Sequence, residues 1–156
     1  MKTIQIKTLT PTYDSIEDRI RLSINYQDID NRIDFMITRS FIIQLLPILD
    51  EYLYKHYSEY KDDEDMIEIK AQDAKTQDSN VSRTNVEDIH LYKSLEDLLV
   101  TINLKYDANT NLTYIEFISK EGHKASTTCD IDMLKSIIKS IKSTIPNFSW
   151  GISSHF

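Results

Sequence analysis

With 156 residues, 40% of them apolar and 28% charged, the chain is long enough to bury a core and has the composition of one folded domain. Gly122 and Gly151 are its only glycines, which excludes dinucleotide fingerprints and Walker-type phosphate loops. The lone Cys129 and four scattered histidines exclude an internal disulfide and argue against zinc. The net charge of −7 is concentrated: residues 61–88 hold nine acids and four bases, the other 128 residues 16 acids and 14 bases, so no strong field covers the folded part.

The start, MKTIQIKTLTPTYD, has no apolar run of signal-peptide length, and Thr3 to Leu9 reads as a strand. DRIRLSINYQ alternates strictly, with Ile20, Leu22, Ile24 and Tyr26 on one face and Arg19, Arg21, Ser23 and Asn25 on the other, the period of a half-buried strand. DIDN at 28–31 is a turn, and RIDFMI returns as a strand with Ile33, Phe35 and Ile37 together. From Thr38 or Ser40, either able to cap a helix, the apolar residues Phe41, Ile42, Leu45, Leu46, Leu49, Tyr52 and Leu53 switch to helical spacing. Pro47 inside that stripe predicts a kink. The run FIIQLLPILDEYL is too short and too polar to span a bilayer, so a soluble, cytoplasmic protein is expected.

Residues 61–88 have few apolar side chains and no periodicity, the pattern of a solvated, flexible acidic connector. Beyond them the plan recurs. LLVTINLKYD predicts a strand with Leu98, Val100, Ile102, Leu104 and Tyr106 on one face, followed by the turn ANTN, the strand LTYIEFIS, the turn KEGH and the strand KASTTC. Asp130 can cap a helix whose stripe is Met133, Leu134, Ile137, Ile138, Ile141 and Ile145. A shift of 92 residues superposes the two helix stripes, carries Thr38 onto Asp130, and carries the strand at 20–26 onto 112–118. The expected fold is α+β: an antiparallel sheet backed by two helices, built as two pseudo-repeated strand-strand-strand-helix units at 1–60 and 89–156.

No motif identifies an activity. Cys129 ends a predicted strand beside a helix N-terminus, with His123 a hairpin away, but a small buried strand residue is the simpler reading. No cofactor or metal is expected; the acids of 61–88 lack the spacing and the glycine of a calcium loop. The favoured function is protein binding. Arg39 at a helix start opposes the helix dipole, Tyr54, Tyr57 and Tyr60 fall on one face outside the core stripe, and Asp62, Asp63, Glu64 and Asp65 crowd the connector. Trp150 lies in an aromatic tail that docks either on its own core or on a second chain. Small acidic proteins of this kind include immunity and phage counter-defence proteins, and a homodimer is expected.

The alternative is single-stranded nucleic acid on the sheet. Arg19, Arg21, Lys105 and Tyr114 occupy outward strand positions, and Lys135, Lys139 and Lys142 form a basic stripe along the second helix. Tandem strand-strand-strand-helix units are similar in arrangement to PUR-repeat and Whirly domains, a likeness that implies binding of single strands on a curved sheet. It carries no motif across.

Overall fold

The computed structural model describes residues 1–57, 95–146 and 150–151. The expected connector, with Tyr60, Asp62, Asp63, Glu64 and Asp65, lies outside the described residues. The chain forms β1 (Thr3–Gln5), β2 (Leu9–Asp14), β3 (Arg19–Ile24), a 3-10 turn (Ile29–Asn31), β4 (Ile33–Thr38) and α1 (Arg39–His56). It resumes with β5 (Leu95–Asp107), β6 (Leu112–Ser119), β7 (Lys124–Cys129) and α2 (Ile131–Thr144).

The fold is α+β, but the sheet is mixed, correcting the expectation of an antiparallel one. Its order is β1-β7-β6-β5-β4-β3-β2, and two pairs, β4–β5 and β1–β7, run parallel. The reason lies in the connections. Within each hairpin the chain reverses, but β4 leads straight into α1, and a helix between two strands lets the later one, β5, lie alongside in the same direction; β1 and β7 come from opposite ends of the described chain, so no hairpin constrains their direction.

β1 and β2 stand at opposite ends of the strand order yet are separated by only residues 6–8, so the sheet must curl until its ends meet. Asn25 fastens this seam. It sits in the left-handed region at φ 53°, which asparagine tolerates, and its side chain is buried. Its Oδ1 accepts the amides of Lys7 (2.8 Å) and Thr8 (3.0 Å), while Nδ2 donates to the carbonyls of Gln5 (2.9 Å) and Asn31 (3.3 Å). The run predicted from Thr3 to Leu9 is a strand only at Thr3–Gln5, and Leu9–Asp14 is a further strand that the sequence pattern does not mark.

Both helices are capped as expected: Thr38 Oγ1 accepts the Phe41 amide and Asp130 Oδ1 the Met133 amide. Pro47 lies inside α1 on its exposed side, and the buried stripe Ile42, Leu45, Leu46, Leu49 runs past it. Together with Leu134, Ile138 and Ile141 of α2, these residues meet Ile20, Leu22, Ile24, Phe35, Ile115 and Phe117 in one core. Each such side chain contributes about 1.5–3 kcal/mol when fully buried. Met133, expected in the stripe, is half exposed; Leu134 and Ile138 carry the buried face of α2.

A bulge between Leu99 and Thr101 breaks the predicted alternation of β5. Ahead of it Leu99 is buried and Val100 points out; beyond it Ile102, Leu104 and Tyr106 pack on the core. The strand also divides its pairing there, with β4 through Leu95–Leu98 and with β6 from Leu99 onward. The 92-residue shift likewise fails in the strands: it lays buried Leu22 on exposed Tyr114, because a one-residue slip turns every side chain to the other face.

Candidate functional site

Several residues expected at a partner surface are internal. α1 ends at His56, so Tyr57 leaves the helix at φ −118° and ψ 43° and turns inward, correcting its expected exposed position. Its hydroxyl bonds Thr113 Oγ1 at 2.7 Å, and its ring meets Tyr106 edge-on at 5.3 Å. Tyr52 reaches the same Thr113 hydroxyl at 3.0 Å, and His56 lies between two rings, tilted against Tyr52 at 4.6 Å and stacked on Tyr106 at 4.7 Å. Burial pushes the Tyr52 and Tyr57 hydroxyls above the usual phenol range.

Trp150 is 1% exposed, so it docks in cis and is no adhesive residue. Its ring lies edge-on to Tyr13 at 6.0 Å and its Nε1 donates to Asp18 Oδ1 at 2.6 Å. Arg39, expected as a partner contact, is exposed and donates Nη2 to the Trp150 carbonyl at 2.6 Å. The Trp150 and Tyr13 donors hold the Asp18 carboxyl below its ordinary value.

The proposed nucleic-acid set does not converge. Arg21, expected on an open strand face, is buried in an ion cluster. It donates Nη1 to Asp34 Oδ2 at 3.1 Å and to Glu96 Oε1, with Asp14 3.9 Å away. Arg32 grips Asp34 through Nε (2.9 Å) and Nη2 (2.8 Å). Burial draws the Arg21 guanidinium's pKa down, but the bonds to Glu96 and Asp34 outweigh it and leave it raised. Beside the cluster, the buried Ser23 hydroxyl has no hydrogen-bond partner among the described residues. Arg19 is half-buried on the same outer face. Lys135, Lys139 and Lys142 are half-buried on α2, across the sheet from Arg21, and Lys142 pairs with Asp50 of α1 at 3.0 Å. No single groove can present both groups.

Cys129 and His123 are not brought together. Cys129 is buried, and burial first, then Asp130, pushes its thiol up to about 11, far from a nucleophile's range. His123 precedes β7 and Cys129 ends it, a separation of roughly 20 Å at strand rise. His123 Nδ1 instead accepts the Lys2 amide at 2.9 Å. Among the described residues no three His, Cys, Asp or Glu side chains are placed to hold a metal, and no helix is long and apolar enough to cross a membrane. The apolar cavity between the helices and the sheet, lined by Leu45, Leu49, Ile115, Phe117, Leu134 and Ile138, is about 20 Å³. A ligand pocket needs roughly 300 Å³ or more.

Of the expected partner residues, Arg39 and Tyr54 keep exposed positions, Tyr54 at 56%. On the same outward side of α1 stand Ile43, Ile48 and Pro47, with Gln44 and Glu51 between them. Ile43 and Ile48 lie outside the core stripe that the spacing of FIIQLLPIL predicts. The run holds more isoleucine than one buried face of a helix uses, and that surplus was the available signal. Compared with family models, curated proteins and solved structures, the chain matches none of them.

Proposed function

We propose that this chain is a non-catalytic, cytoplasmic protein-binding module that inhibits, neutralises or scaffolds one partner protein, in the manner of immunity or counter-defence proteins. Its contact surface is the outward side of α1. The observation behind this reading is the set of exposed apolar side chains Ile43, Ile48 and Tyr54 beside Pro47 on one helix. Apolar anchors at helical spacing, bordered by polar residues, suit a protein partner, and tyrosine supplies contact area at low entropic cost. The same reading takes the fold as two pseudo-repeated strand-strand-strand-helix units, one of which presents this helix. A second copy of the chain is the competing occupant, and the homodimer would use the same face.

The test compares tagged wild type with the double variant Ile43→Asp, Ile48→Asp in capture from the native host lysate after nuclease treatment. We expect one stoichiometric protein with wild type and none with the variant, whose melting temperature stays within a few degrees because both side chains lie outside the core. Equal capture by the two proteins sinks this surface. Sedimentation of the purified chain decides the dimer: a doubled mass that the variant abolishes assigns the face to self-association.

A second reading, single-stranded nucleic acid on the sheet's outer face, is favoured by one pair. Exposed Tyr114 stands directly across from Lys105 in the β5–β6 register, an aromatic beside a cation. Its test is salt-dependent binding of a labelled oligonucleotide that Tyr114→Ala weakens; no binding at low salt ends it.

A further inference from the structure

The two long hairpins carry the same device. In the β2–β3 turn, Asp14 Oδ1 accepts the Ile16 amide at 3.0 Å, Asp18 is left-handed at φ 53°, and the Tyr13 hydroxyl donates to Asp18 Oδ1 at 2.6 Å. In the β5–β6 turn, Asp107 Oδ1 accepts the Asn109 amide at 2.9 Å, Asn111 is left-handed at φ 56°, and the Tyr106 hydroxyl donates to Asn111 Oδ1 at 2.6 Å. The sequence pattern is Tyr-Asp, three residues, then Asp or Asn, at a spacing of 93. Aspartate and asparagine are the side chains that accept such bonds locally and also tolerate the left-handed backbone, so both turns meet one requirement in the same way.

What covers each hairpin tyrosine is the residue after a helix, and the helix comes from the other half. Trp150, which follows α2, lies edge-on to Tyr13 at 81°; Tyr57, which follows α1, lies edge-on to Tyr106 at 79°. Trp150 and Tyr57 are themselves 93 positions apart. Trp150 bonds Asp18, and Tyr57 directs its hydroxyl at the Asn111 carbonyl at 3.5 Å. Between the helices, the Lys142–Asp50 ion pair joins residues 92 apart, as expected where an approximate two-fold axis brings a position onto its counterpart.

We infer that the chain is two copies of one unit whose helices are exchanged, so that crossed aromatic latches lock each helix end to the other unit's hairpin. The inference rests on the two-unit reading of the fold but is independent of any partner. The latches are not identical: Arg39 braces Trp150 in one, and His56 stacks on Tyr106 in the other. Each ties a helix end to a hairpin distant in sequence, so each latch guards the hairpin it covers.

Amide hydrogen exchange on the full chain tests the crossing. Trp150→Phe keeps a ring and removes the donor to Asp18; protection should fall roughly tenfold over residues 9–24 while residues 99–119 hold. Tyr57→Phe should do the reverse. If Trp150→Phe proves poorly folded, Asp18→Ala and Asp18→Asn replace it: alanine should release the first hairpin, and asparagine, which stands at the equivalent place in the second, should keep it protected. A loss confined to α2 and β7 for Trp150→Phe, a uniform loss along the chain, or unchanged hairpins in both variants overturns the inference.

Discussion

The outer face of β3 and β4 and the outer face of β6 and β7 are each borne by the middle and last strands of a three-stranded meander, and they differ in chemistry. On the first, Arg21, Ser23, Asp34 and Met36 are all buried, and the arginine and aspartate belong to an ion cluster. On the second, Tyr114, Glu116, Ser126 and Thr128 retain solvent exposure, and the strongest contacts are Tyr114 and Asn103 reaching Glu116. Alternation in a strand identifies the face that packs on the helices. It does not reveal whether the polar face meets water or is itself closed off, because a buried charge with its partner looks the same in sequence as a solvated one.

Substitutions at matching places sharpen that contrast. Asp34→Ala removes the acceptor shared by two buried guanidiniums and should cost about 3–5 kcal/mol in denaturant unfolding. Ser126→Ala, on the open face, should stay within about 0.5 kcal/mol. Similar losses at both sites would show that the two faces are equally closed. Next in size, Tyr57→Phe leaves the ring in place but takes one hydroxyl from Thr113, an expected loss of about 1 kcal/mol. Tyr114→Phe, which gives up an exposed bond to Glu116, should change stability by a few tenths at most.

The smallest effect is one of pH. The folded-state pKa of Asp18 is depressed below 3.8 by the Trp150 and Tyr13 donors, so its stabilisation is complete above that value and is lost as pH falls through the lower folded value. Wild type should therefore exceed Asp18→Asn in melting temperature above about pH 4 and lose the advantage below it. A difference that grows on acidification would contradict the assigned bonds. In the second hairpin neutral Asn111 takes this role, so no acid limb arises at that position.

Much of the secondary structure is legible from local rules. Thr38 and Asp130 were visible as caps, the apolar spacing of α1 marked its buried stripe, and the alternation at 20–24 and 33–37 picked the inward faces. The failures share a cause. Alternation predicts Val100 inward, but a bulge shifts the phase without any special residue at that point. Helical spacing predicts Tyr57 outward, but the helix ends one residue before it. Little of the candidate site was legible: Tyr54 was named, but Ile43 and Ile48 were passed over, and Trp150, Arg39 and Arg21 proved to hold the molecule together.

By itself the sequence determined the repertoire of elements: helices where apolar residues recur every three or four positions, strands where they alternate, and turns where Asp, Asn and Gly relieve the backbone. It also excluded phosphate loops and disulfides by composition. Only the tertiary structure decided that the sheet is mixed and curls back on its own first strand, that Arg21 and Asp34 lie inside, and that Tyr57 and Trp150 cross to opposite hairpins. Local preference depends on residues within a turn or two of each other. These outcomes depend on which distant surfaces exclude water together, and partners such as Tyr57 and Thr113 or Trp150 and Asp18, 56 and 132 residues apart, leave no periodic trace in the chain.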